Sequence, residues 1–179
     1  KNVLVGEVWI CSGQSNMEWT VGGCDKTDKE YATTAPHNPM LRMFNVKKNP
    51  QSTPQTETAG AWTDAKPQTV LGFSAAGYFF GRNLQENMKV PVGLINSSWG
   101  GTRIETWISP SVLAPFEKAN VNAKPGNPNA ASALYNGMIH PLLNYSVKGA
   151  IWYQGESNAG AAFKYRTLHP TMINNWRAD

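Results

Sequence analysis

Apolar positions along the chain fall into short runs separated by polar stretches rich in Gly, Pro and Asn. Val3 to Ser12 (VLVGEVWICS) is rich in Val, Ile and Trp and predicts a buried strand that stops at the turn signal Gly13-Gln14-Ser15-Asn16. Residues 20–40 are polar and punctuated by Gly, Pro and Asn, which predicts a long loop. Leu41 to Val46 alternates and predicts a second strand, and residues 49–69 predict another long loop. Loops of that length in a compact domain are functional or unstructured. Ser74 to Met88 places Ala76, Phe79, Phe80, Leu84 and Met88 at helical spacing, with Ser74 as N-cap and Pro91 just beyond the end. Val92 to Ser97 predicts a buried strand that runs into Ser98-Trp99-Gly100-Gly101-Thr102. Residues 123–131 predict a Pro/Asn/Gly loop, and Ala133 to Tyr145 a helix interrupted near Pro141. Val147 to Tyr153 predicts a strand leading into Gln154-Gly155-Glu156-Ser157-Asn158, and Phe163 to Trp176 a last helix kinked or restarted at Pro170.

Strands alternating with helices predict an α/β protein with a parallel sheet covered on both faces. Four strands are visible, and no internal repeat. Ligands of such sheets bind beyond the carboxyl ends of the strands. Three strands here end in polar turns containing glycine, at 13–16, 98–102 and 154–158, so the pattern places three polar turns along one rim.

Composition narrows the function classes. The 179 residues suffice for one domain with a sizeable core, and 41% hydrophobic against 16% charged residues argues against disorder. The net charge of +4 is scattered, with Lys47-Lys48 the one tight pair. No basic stripe is interleaved with aromatics, so a nucleic-acid partner is not expected. No apolar run approaches the ~18 residues of a membrane span, so no membrane partner is expected either. No segment reads as a signal peptide, which carries little weight in a chain that opens Lys1-Asn2-Val3. Seven Trp and six Tyr serve either as core filling or as flat platforms for the apolar faces of sugar rings. Of the two cysteines, Cys11 reads as a small buried hydrophobe and Cys24 lies in a polar stretch. Neither a disulfide between them nor a metal site is the expected outcome.

The three turns could cooperate chemically. Ser15 directly follows a strand, where a hydroxyl can project as a nucleophile, although the spacing is not G-x-S-x-G and a serine there is more often an N-cap. Gly100-Gly101 could expose backbone N–H groups to a developing oxyanion, because glycine permits close approach. Gln154 could offer its side-chain amide to the same oxygen, or simply close a strand end by hydrogen bonding to a neighbour.

Three blocks in order carry a resemblance. Gly6-Glu7-Val8-Trp9-Ile10-Cys11-Ser12-Gly13-Gln14-Ser15-Asn16-Met17-Glu18 closely resembles the signature of the sialate O-acetylesterase family, a branch of the SGNH hydrolases. Asn96-Ser97-Ser98-Trp99-Gly100-Gly101-Thr102-Arg103-Ile104-Glu105-Thr106-Trp107-Ile108-Ser109 resembles its second block, and Trp152-Tyr153-Gln154-Gly155-Glu156-Ser157-Asn158 its third. Tyr78-Phe79-Phe80-Gly81 and Asn136-Gly137-Met138-Ile139 extend the likeness over nearly the whole chain. The resemblance implies a three-layer α/β/α, flavodoxin-like SGNH hydrolase fold over 1–179. It also implies a serine esterase that removes O-acetyl groups from an acetylated carbohydrate without metal or cofactor. It implies Ser15 as nucleophile, with Gly100 (or Gly101) as backbone donor and Gln154 (or Asn158) as side-chain donor to the oxyanion. Arg103, Glu156, Asn158 and Trp99 are candidate substrate contacts or structural anchors. Trp19 and Trp107 are candidate sugar contacts, with core packing as the alternative. The family is secreted, periplasmic or lysosomal.

The family's Asp-x-x-His pair is missing. Asp25, Asp28, Asp64 and Asp179 never precede a histidine by three. His37 lies in a Pro/Asn loop, His140 in a structural helix and His169 beside Pro170, and none is a strong candidate base. The expectation is therefore an incomplete sheet and esterase domain, with the segment carrying Asp and His beyond Asp179 or on a second chain. Alternatives are an acetylxylan or hemicellulose acetyl esterase, with specificity set by loops 20–40, 49–69 and 110–131, and a carbohydrate-binding domain without catalysis. A nucleotide binder is disfavoured, because neither G-x-G-x-x-G nor G-x-x-x-x-G-K-[ST] occurs.

Overall fold

The computed structural model describes residues 2–116 and 126–179. The chain forms two compact units: Lys1–Val46, Gly60–Gly100 and Ser146–Tyr153 in the first, Lys47–Ala59, Gly101–Tyr145 and Gln154–Asp179 in the second. The first residues of the predicted 123–131 loop lie outside the described residues.

The first unit holds the whole sheet. Its strands are β1 (Glu7–Gly13), β2 (Asn38–Asn45), β3 (Trp62–Ala65), β4 (Val92–Ser98) and β5 (Gly149–Tyr153), in the order β3-β2-β4-β1-β5. β2, β4, β1 and β5 are parallel, as the alternation predicts, while β3 runs antiparallel along β2. Leu94 and Ile95 point to opposite faces of β4 and both are buried, so the apolar run reads as a central parallel strand should. β1 begins four residues later than its apolar run suggests. Val3 and Val5 are 84% and 92% exposed, because the neighbouring strands begin only at Val92 and Gly149 and leave residues 3–6 nothing to pair with.

Four helices accompany the sheet in this unit: α1 (Ser15–Glu18), α2 (Lys26–Thr33), α3 (Pro67–Val70) and α4 (Ala75–Met88). The Ser74 hydroxyl caps α4 by accepting from the Gly77 N–H at 3.0 Å. The most deeply buried positions of α4 are not those of its predicted stripe. Ala75, Gly77, Tyr78 and Gly81 are buried, and a Cβ on Gly81 would lie 2.5 Å from Leu94 Cδ1. Small residues let the helix axis approach β4, while Phe79, Phe80 and Leu84 pack around the margin of the core. Cys11, Met17, Leu41, Met43, Phe73 and Leu94 belong to that core.

The two long loops contain structure that hydrophobic patterning missed. α2 buries only Ala32, so it carries no apolar stripe; its signal is Asp25, whose carboxylate accepts from the Asp28 N–H at 3.0 Å as an N-cap. β3 is four residues at a sheet edge, set by Trp62 packing on Phe44 (centroids 5.5 Å apart) and by Asp64 pairing with Arg42 at 3.1 Å. Cys11 and Cys24 are both free thiols; burial pushes the Cys11 thiol up to about 12.

The second unit is built from turns and helices: Ile104–Trp107, α5 (Pro110–Leu113), the wide helical turn Tyr135–Ile139, the tight turn His140–Leu142, Glu156–Ala161 and α6 (Ala162–Ala178). The predicted break near Pro141 falls at the change from wide to tight winding at His140, and α6 runs through Pro170. Glu105, 6% exposed, is the polar centre of this unit. Its carboxylate accepts from Asn158 Nδ2 at 2.9 Å and pairs with Lys164 Nζ at 3.1 Å, and its carbonyl accepts from the Ser132 N–H at 3.2 Å. Burial by itself raises its pKa. Hydrogen bonds from Asn158, its own backbone and Lys164 more than offset that and hold the carboxyl below the usual range.

Two outcomes follow from this packing. Gly81→Ala should destabilise by about 1–3 kcal/mol in urea denaturation, although alanine is the better helix former, because the added methyl collides with Leu94. The second concerns pH. Glu105 is more acidic folded than unfolded, so its contribution is full above the unfolded value near ~4.3 and is lost as pH falls through the lower folded value. Stability measured from neutral to acid pH should therefore fall more steeply in the natural protein than in Glu105→Gln.

Candidate active site

The parallel ladder sets the site. Gly13 at the end of β1 pairs with Ser98 of β4 on one side and Tyr153 of β5 on the other, so three strands end level. Gly13 has φ +139°, and a Cβ there would lie 2.1 Å from the Tyr153 carbonyl oxygen. Only glycine lets the chain cross at this point. The Gln14 N–H then donates to that carbonyl at 2.9 Å, and α1 starts at once.

Within α1 the side chains divide sharply. Met17 is buried in the core, where its sulfur accepts from the Ser74 hydroxyl at 3.5 Å. Ser15 faces outward, and among the described residues its hydroxyl has no hydrogen-bond partner. The turn after β4 lies against it. The Trp99 N–H donates to the Gly13 carbonyl at 3.0 Å, and a Cβ on Gly100 would sit 3.4 Å from Ser15 Cβ. Ser15 and Gly100 are thus neighbours. The Gly100 N–H, however, donates to Glu18 Oε2 at 2.6 Å. That amide already holds a carboxylate oxygen, from a residue to which the sequence patterns give no separate role. Its signal was its place three residues after Ser15, on the same side of the helix.

The other candidates lie in the second unit. Both hydrogens of Gln154 Nε2 are committed, one to the Thr102 carbonyl at 3.0 Å and one to Asn158 Oδ1 at 2.8 Å. Its Oε1 is buried without a partner among the described residues. Asn158 Oδ1 also accepts from the Ile104 N–H at 2.9 Å, so Asn158 ties Gln154 to Glu105. Arg103 is exposed; its backbone N–H donates to Asn129 Oδ1 at 2.9 Å. Gly101 has φ +73°, and its carbonyl accepts from Asn129 Nδ2 at 3.0 Å. Glu156 is exposed and Trp99 half-buried. Trp107 is wholly buried, with its indole N–H on Thr102 Oγ1 at 3.1 Å, and is a core residue with no surface for a sugar. Trp19 is exposed.

The histidines are placed elsewhere or occupied. His37 precedes β2, at the end of the sheet opposite Gly13; eight residues of strand separate those ends, roughly 25 Å. Its Nε2 pairs with Asp64 at 3.1 Å. His140 Nδ1 bonds the Gln55 carbonyl at 2.8 Å, and His169 stacks on Tyr165. Among the described residues, no three His, Cys, Asp or Glu side chains are grouped to hold a metal ion, and no helix is long and apolar enough to cross a membrane.

Comparison with known proteins agrees with the three sequence blocks. A sequence model of the carbohydrate esterases described as sialic acid-specific acetylesterases matches residues 5–179. Sialate O-acetylesterase of Homo sapiens is 37% identical over 191 residues, covering 98% of this chain, and that of Mus musculus 34% identical over 217 residues. The chain spans 36% and 40% of those relatives' lengths. Among solved structures, a carbohydrate acetylesterase from Xanthomonas citri superposes with a TM-score of 0.86 at 39% identity, over 97% of this chain and 38% of that one. A protein from Arabidopsis thaliana shares the fold at a TM-score of 0.56 and 18% identity, over 96% of this chain and 68% of that one. The chain belongs to the carbohydrate esterase family of sialic acid-specific acetylesterases.

Proposed function

We propose that this protein hydrolyses O-acetyl esters of sugars, with acetylated sialic acid as substrate and Ser15 as nucleophile. The observation that carries the reading is an outward serine hydroxyl without a partner among the described residues, placed where three parallel strands end level and against Gly100 of the turn after β4. Family membership and the acetylesterase relatives support the reaction class.

In the reaction, Ser15 Oγ attacks the acetyl carbonyl and a base takes its proton. The tetrahedral intermediate collapses, the sugar oxygen leaves with a proton, and water cleaves the acetyl-serine to acetate and free serine. The base is proposed to be the histidine of an Asp-x-x-His pair that these 179 residues do not contain. His37 is unsuited to the role by its place at the far end of the sheet. Donors to the oxyanion must be N–H groups able to accept a new partner. The Gly100 N–H already holds Glu18 Oε2.

An organophosphonate should label the full-length protein once, at Ser15, by intact-mass and peptide analysis. Ser15→Ala should abolish labelling and lower acetate release from O-acetyl sialic acid on the order of 10⁴-fold or more, with the fold retained. Labelling at another residue would refute the assignment. Faster release from acetylated xylan than from O-acetyl sialic acid would redirect the substrate.

A further inference from the structure

Two consecutive amides tie the turn after β4 to the segment that carries Ser15. The Trp99 N–H reaches the Gly13 carbonyl at 3.0 Å, and the Gly100 N–H reaches Glu18 Oε2 at 2.6 Å. The first tie continues the sheet ladder and depends on backbone alone. The second depends on one side chain, rooted on the helix whose first residue is the nucleophile. A bond from N–H to carboxylate is short and about twice as strong as a neutral one. It holds Gly100 so close that a Cβ would meet Glu18 Oε2 at 3.1 Å and Ser15 Cβ at 3.4 Å.

We propose that Glu18 is a positioning residue for the Ser15 reaction: its carboxylate pins Gly100 against α1 and so fixes the distance between the nucleophile and the turn that faces it. This rests on Ser15 being the nucleophile. A carboxylate on the Gly100 amide also gives that residue a different task from the one its sequence block implies. An oxyanion on the same N–H would bring two negative oxygens together, which is strongly unfavourable where solvent is excluded. Gly100 contributes the anchor for Glu18 and, lacking a side chain, the close approach to Ser15.

The test uses the full-length protein and two substitutions. Glu18→Ala should slow both Ser15 phosphonylation and kcat by about 10- to 100-fold, with KM for a small acetyl ester changed by less than about twofold. Glu18→Gln keeps an acceptor oxygen on the same stem and should recover most of that loss. The Gly100 amide proton, followed by NMR, should exchange slowly in the natural protein and in Ser15→Ala, and quickly in Glu18→Ala. Natural or increased rates in Glu18→Ala would overturn the proposal, and a gain would mean that the carboxylate blocks the site. Unchanged Gly100 exchange in Glu18→Ala would overturn it without reference to activity. If Ser15→Ala keeps full activity while Gly100 exchange responds to Glu18, the esterase reading fails and the clamp stands as a structural feature only.

Discussion

The level ending of β4, β1 and β5 is the constraint on which the proposed chemistry depends. Parallel pairing in register aligns Ser98, Gly13 and Tyr153, so the residues after them leave the sheet from a common line. The chain can then turn directly from β1 into α1 only because residue 13 has no side chain to strike the Tyr153 carbonyl. Met17 anchors that short helix in the core, and with Met17 inward Ser15 must face outward. An apolar anchor two residues along thus orients the Ser15 side chain.

Several donors around the candidate residues are already committed, and carboxylates take part in this. Glu18 takes an amide that sequence alone would assign to an oxyanion. Glu105 holds Asn158, which holds Gln154, and Lys164 balances the buried charge. The energetics of these contacts differ. Glu105 is buried and stays ionised because three sets of donors outweigh the loss of hydration. Glu18 reaches from the serine's own helix to the opposing turn, so what it fixes is a distance. Among the described residues Gln154 Oε1 has no partner, so the network around Gln154 is not closed by them.

Helix α4 illustrates how a correct reading of periodicity can still mistake the contact. Its apolar positions are aromatic and aliphatic, and they do recur at helical spacing. Yet the helix comes closest to the sheet at Gly77, beside Cys11, and at Gly81, beside Leu94, while Phe80 packs edge-on against Trp9 of β1. The large side chains then fill the flanks. In α2 and β3 the reading failed for the opposite reason. Neither has enough apolar residues to announce itself, and each exists through a local device, a capping carboxylate in one and a Trp62–Phe44 contact with an Asp64–Arg42 pair in the other.

Features that depend on neighbours along the chain were legible in the order of the amino acids. They include the parallel strands as apolar runs, the α4 boundaries from Ser74, the polar turn after each central strand and, through three ordered blocks, the family. Tertiary structure decided what depends on residues far apart. It started β1 at Glu7, buried Trp107, set His37 at the wrong end of the sheet for a base, and committed the Gly100 and Gln154 donors to Glu18, Thr102 and Asn158. A hydrogen bond between residues 18 and 100 leaves no trace in the spacing of either. Which donors hold a partner is fixed by distances of a few ångströms between segments brought together only when the sheet forms.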